Sequence, residues 1–160
     1  MSIEKVTFKD WVFEVDRSLN EAHYAMFVSD GAATCGCGNC ENYLAYRDQI
    51  FPDEVKKLFD NLGIDYKKDA EIMTNYKTSD GLYNIMGWFH FKGLILRGKN
   101  CAIPLPGGNG YSIELSRFSD NFSIGFSNRD NLSYFENNDD LIELTFETNI
   151  PWVLDPTLET

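Results

Sequence analysis

The chain has 160 residues, 25 acidic against 14 basic, for a net charge of −11. Such a surface repels nucleic-acid phosphates and anionic membranes, and the isolated pairs Lys56-Lys57 and Lys67-Lys68 do not reverse it, so a basic protein is the expected partner, with no nucleic acid and no membrane. The length fits one α+β domain spanning 1–160, able to bury about 70% of its unfolded surface, and a 14% aromatic content supplies core material.

Trp11, Phe13 and Val15 alternate with Val12, Glu14 and Asp16, which predicts one strand over Phe8 to Asp16. Ser18 and Glu21 form a capping-box pair. Leu19, Ala22, His23 and Met26 then give a short helix an apolar stripe that carries His23. Asn39 is the expected N-cap of a second helix, with Cys40, Tyr43, Leu44 and Arg47 on one face and an end near Gln49. Pro52-Asp53-Glu54 opens a third, proline at the first helical position. In it Val55, Leu58, Phe59 and Leu62 recur at helical spacing, and Gly63-Ile64 reads as a Schellman stop.

From Glu71 onward the pattern is β. A short strand at Ile72 to Asn75 and the Asp80-Gly81 turn lead into a long one, Leu82 to Arg97. Tyr83, Ile85, Phe89, Phe91 and Ile95 share one face of it, Trp88 and His90 lie on the other, and Gly87 and Gly93 predict a bulge or bend. Ile103 to Gly110 reads as a loop. Three alternating runs follow, carrying Tyr111-Ile113-Leu115, Phe122-Ile124-Phe126 and Ile142-Leu144-Phe146, and they predict an antiparallel sheet with one wet face. The Ser119-Asp120-Asn121 turn joins the first two runs; Asn128 to Asp140 is a polar loop, and Trp152 packs back on the sheet. The expected fold is α+β: helices of the N-terminal half packed on a mostly antiparallel sheet from the C-terminal half, either curled or a sandwich.

The chemistry concentrates at Thr34 to Asn42, where Cys35, Cys37 and Cys40 stand in a C-x-C-x-x-C arrangement. Thiolates are soft ligands that zinc takes in tetrahedral sets, and Gly36 and Gly38 let the backbone fold tightly between them. The metal set is Cys35, Cys37 and Cys40 with His90 as fourth donor, Cys101 or His23 standing in its place as alternatives. A helix N-terminus beside these sulfurs favours thiolate over thiol. The competing readings are small buried cysteines that pack helix against sheet, and a redox or nucleophilic thiol. No basic, apolar leader opens the sequence and no apolar run approaches membrane-spanning length, so a cytoplasmic location with reduced thiols is expected.

Cys35-x-Cys37-x-x-Cys40-x-Asn42-Tyr43, Phe51-Pro52-x-Glu54, Leu62-Gly63-Ile64-Asp65, Gly87-Trp88-Phe89-His90-Phe91 and Pro151-Trp152 together resemble a family of small uncharacterised bacterial proteins, over the stretch from Trp11 to Leu154. The resemblance implies a bacterial cytosolic protein and places His90 near the cysteine corner. Family members often carry a basic residue after the third cysteine. Glu41 stands there here, which speaks against anion binding at that position.

With two histidines there is no H-E-x-x-H site, and neither G-x-S-x-G nor a P-loop occurs. Asp53-Glu54 and Asp139-Asp140 are sequence neighbours, which rarely form an acid/base pair. The expected function is that of a non-enzymatic protein that binds another macromolecule, with a structural cysteine cluster able to take zinc. The alternative is a thiol- or metal-dependent enzyme using Cys35, Cys37 and Cys40 with His90.

Overall fold

The computed structural model describes residues 3–27 and 31–159. Its spine is the strand Tyr83–Arg97, the fourth in chain order (β4), which the sequence marks out by its long run of aromatic and β-branched residues. Along one edge β4 pairs with β9 (Leu141–Ile150), in an unbroken antiparallel register from Tyr83↔Ile150 to Lys92↔Leu141. Along the other edge it pairs first with β3 (Glu71–Lys77) and then, from Gly93 onward, with β2 (Trp11–Asp16). The remaining strands are β1 (Ile3–Phe8), β7 (Ser116–Ser119) and β8 (Phe122–Ser127), giving the order β1-β2-β4-β9-β8-β7. A separate two-stranded ribbon pairs β5 (Ala102–Pro104) with β6 (Tyr111–Ile113).

The sheet curls without closing. Phe13 of β2 meets Phe126 of β8 at 4.7 Å between ring centroids, and Phe8 of β1 stacks on Phe118 of β7 at 5.8 Å. Into the concave side drops α4 (Asp53–Leu62), whose Val55, Leu58, Phe59 and Leu62 are all buried as their spacing predicts. Phe59 packs 5.0 Å from Phe89, and Phe51, just before the helix, lies 5.0 Å from Phe146. Gly63 ends the helix at φ 83, and the Ile64 amide bonds Phe59 O at 2.9 Å, the 6→1 bond of a Schellman motif. The other helices are α1 (Arg17–Met26), α2 (Gly31–Cys35) and α3 (Gly38–Tyr46), the last followed by a 3₁₀ turn at Arg47–Gln49. Helices in the N-terminal half on a mostly antiparallel sheet make the fold α+β, and no helix among the described residues is long and apolar enough to cross a membrane.

Several elements depart from the sequence pattern. The run from Phe8 to Asp16 is the end of one strand and all of the next, joined by a two-residue turn at Lys9-Asp10. The cap of α1 is Asp16, whose carboxylate accepts from the Leu19 amide, and Ser18 is helical. Leu19 and Met26 are exposed, and Asn20 and Tyr24 are the buried side chains of that helix. Pro52 sits one residue before the first turn of α4. Gly87 makes no bulge against β9. A Cβ there would fall 2.8 Å from the Phe146 ring, so the glycine is room for that ring. Ile103 and Pro104 belong to β5, and the turn after Ser119 joins β7 to β8, because the Tyr111 run is paired with β5 in the ribbon and ends at Ile113.

The convex face is also covered, against the expectation of a wet one. His90, Ser127, Glu143 and Thr145 on it are at most 2% exposed. Cys101 and Leu115 lie over Gly125, where a Cβ would meet their side chains at 2.7 and 2.8 Å. The loop after β8 crosses β4: Trp88 Nε1 donates to Asn131 O at 2.9 Å, and Lys92 Nζ donates to Asn137 O at 2.7 Å. His90 lies between those two residues, beneath the loop.

Candidate metal-thiolate site

The cysteine corner is the junction of α2 and α3. Asp69, fully buried, ties down the start of α2: its backbone oxygen accepts from the Gly31 amide at 3.0 Å and its carboxylate from the Ala32 amide at 3.2 Å. Gly31 admits the close approach, since a Cβ there would sit 2.4 Å from Ala70 O. After Cys35 the chain reverses through Gly36 at φ 74, a left-handed conformation that glycine adopts without strain. Cys37 is then the N-cap of α3, in place of Asn39, and its Sγ accepts from the Cys40 amide at 3.4 Å.

α3 is fixed from below by Cys40 and Tyr43 in the core, and from the side by Asn42. The Asn42 carboxamide donates to Pro151 O at 3.0 Å and accepts from the Val153 amide at 2.7 Å, so it splices the end of the chain onto the helix. Trp152 packs 5.7 Å from the Tyr83 ring, as expected of a residue returning to the sheet. Gly38 keeps this contact tight: a Cβ there would lie 3.1 Å from Leu158 O.

Within this frame the three sulfurs converge. All three Sγ atoms lie within 4.8 Å of one another, and Cys35 Sγ is 3.2 Å from Cys37 Sγ. Zinc bound at about 2.3 Å to each sulfur has a tetrahedral edge of roughly 3.8 Å, so the set approximates one face of such a polyhedron. Cys35 and Cys37 are exposed and Cys40 is buried. The Cys40 amide, above all, holds the Cys37 thiol below its ordinary pKa, with the neighbouring thiols and the Asn39 amide adding to it against partial burial. Burial pushes the Cys40 thiol well up, and its hydrogen bonds to Cys35 and Cys37 add to the shift.

The structure brings together Cys35, Cys37 and Cys40, and it leaves His90, Cys101 and His23 outside the group. His90 is 2% exposed and its Nε2 lies 3.2 Å from Glu143 Oε2, its cross-strand neighbour. Cys101 is buried beside Glu143 and Ser127, and burial pushes its thiol up to about 11. His23 rests on the Phe135 ring at 4.7 Å. Asp69 and Asn42 position the corner and carry no periodic signal: each stands in a polar stretch, and its partners lie far along the chain. The chain matches no protein-family model, and comparison with curated proteins and with solved structures finds no match.

Proposed function

We propose that this chain is a non-catalytic metal-thiolate protein. Cys35, Cys37 and Cys40 hold one soft divalent ion, zinc first, and the ion clamps α2 to α3. The observation that carries this reading is the convergence of three sulfurs within 4.8 Å at the cap of a helix. Two of the three face solvent, so a water or a donor from a partner supplies the fourth position. The acidic surface supports a basic protein as that partner, and the motif resemblance together with free thiols supports a bacterial cytoplasmic setting.

Zinc titration of the reduced, untagged protein, followed by native mass spectrometry and competition with a chromophoric chelator, tests the assignment. The expected result is one retained equivalent. Cys40→Ser should weaken binding beyond the roughly 10–100-fold that loss of an outer-shell partner costs. Failure to retain zinc, with all three thiols reacting independently, would overturn it.

A second reading rests on the exposed Cys37 Sγ lying within 4.8 Å of the buried Cys40 Sγ, with the first thiol's pKa lowered and the second's raised. An exposed, readily ionised thiol three residues before a shielded one suits thiol–disulfide exchange. Cys37→Ser separates the two readings. A metal role predicts lost zinc and a loosened corner, whereas an exchange role predicts an intact fold with lost turnover of a disulfide substrate.

A further inference from the structure

The curled sheet leaves a seam between the β1–β2 turn and β7. A cavity of about 380 Å³ opens there, within the range of about 300–1,000 Å³ typical of small-molecule sites. Its apolar lining is Trp11, Phe118 and Ile124, and its cations are Lys9, Lys99 and Arg117, with Asp10 as the acid. We propose that this seam binds a planar organic anion, an aromatic ring system bearing a carboxylate or sulfonate.

Trp11 is fixed before any ligand arrives. Its Nε1 donates to Lys99 O at 2.9 Å, its ring meets Phe126 edge-on at 4.9 Å, and it is 5% exposed. Gly98 gives the indole its room, since a Cβ there would fall 2.2 Å from Trp11 Cδ1. Phe8 stacks against both Trp11 and Phe118, with interplanar angles of 20° and 10°, so the apolar lining is one continuous aromatic ladder. With Trp11 buried, the half-buried Phe118 at the rim is the ring that presents apolar area to a flat ligand body.

The charge selects the other half of the ligand. In a chain with a net charge of −11, three of the four charged side chains lining this cavity are cations. Each cation rests against a surface carboxylate: Lys9 on Glu54 at 3.3 Å, Lys99 on Glu114 at 3.0 Å and Arg117 on Asp120 at 2.9 Å. All six side chains are at least half exposed, and such pairs are worth about 0–1 kcal/mol, so each cation exchanges its carboxylate for a ligand's at little cost. Lys9 is held at the mouth in two further ways. Its Nζ stands 4.9 Å over the Phe118 ring, and its backbone takes φ 52 in the turn, a conformation uncommon for a residue other than glycine. A polyanion is a poor fit, because the acidic surface around the mouth repels its outlying charges.

The probes are 2-naphthoate and its uncharged counterpart 2-naphthamide, which share one aromatic body. Calorimetry and the Trp11 indole N–H resonance report binding. The expected result is one naphthoate per chain, a shift of the Trp11 resonance, and naphthamide weaker by at least about tenfold. A Lys9→Gln/Arg117→Gln double variant should weaken naphthoate about tenfold or more at an unchanged melting temperature, since both side chains are exposed. No naphthoate binding, equal affinity for the two probes, an unmoved Trp11 resonance, or a double variant that binds like the parent would each overturn the proposal.

Discussion

Cys37 both caps α3 and presents a sulfur, and the same amide hydrogen bond serves both roles. The sequence favours Asn39 as the cap, because asparagine is the better capping side chain. The left-handed turn at Gly36 decides otherwise by delivering Cys37 to the helix start two residues earlier. The convergence of the three sulfurs was legible from spacing alone, whereas the place of His90 was not, since its partner Glu143 lies 53 residues away. The lowered pKa of Cys37 has a direct consequence. As pH rises this thiol ionises before an ordinary one, so its reaction with iodoacetamide accelerates and levels off at lower pH than an ordinary thiol's. Cys40 and Cys101 have raised values and stay protonated and slow until well above that pH. Peptide mass spectrometry after brief labelling across a pH series should find Cys37 modified before Cys40 and Cys101. Equal labelling of the three near neutral pH would contradict this.

The elements that read clearly are those whose partners are local. α4 carries its apolar period, its stop glycine and its following isoleucine within twelve residues, and all of it folds as read. α1 misleads because its buried face is polar. Between the end of β3 and the start of β2, the edge of β4 at His90 to Lys92 has no strand beside it. Tyr24 Oη donates to His90 O at 2.6 Å, and the Asn20 carboxamide accepts from the Lys92 amide at 2.8 Å while donating to Lys92 O at 3.1 Å and Leu62 O at 2.9 Å. Two side chains thus stand in for the missing strand, as buried main-chain groups require. The β1–β2 hairpin was hidden for a similar reason: its turn puts Lys9, where asparagine or glycine is the usual signal, at positive φ. Asn20→Ala strands one amide and two carbonyls, each worth about 1–3 kcal/mol when buried and unpaired. Urea unfolding should therefore show a loss of about 3 kcal/mol or more, and Tyr24→Phe a loss nearer 1 kcal/mol. A loss within 0.5 kcal/mol for Asn20→Ala, the usual range for surface changes, would show that no such pairing is needed.

Across the whole molecule, the alternating strands identify the concave core and conceal the convex one. Phe122, Ile124, Phe126, Ile142, Leu144 and Phe146 announce themselves by period, whereas Ser127, Glu143 and Thr145 read as a wet face and are buried under chain contributed by two long connections. Glu143 joins the parts that make this second layer. Its carboxylate lies 3.2 Å from His90 Nε2 on β4, accepts from Thr145 Oγ1 at 3.2 Å, and stands 3.5 Å from Arg129 Nη1 on the loop that follows β8. A carboxylate 1% exposed is tolerable only with such partners. Glu143→Ala should therefore lower stability by about 3–5 kcal/mol, the range for breaking a buried pair, and Glu143→Gln by less, since the amide oxygen still accepts from Thr145. Arg129→Gln alone should cost less than either, because its guanidinium is partly solvated. In a double-mutant cycle between Glu143→Gln and Arg129→Gln, the two losses should fall short of additivity by about 0.5 kcal/mol or more. Simple additivity would mean that Glu143 and Arg129 do not act through one another, and that the loop is held to the sheet by its other contacts, Trp88 to Asn131 and Lys92 to Asn137 among them.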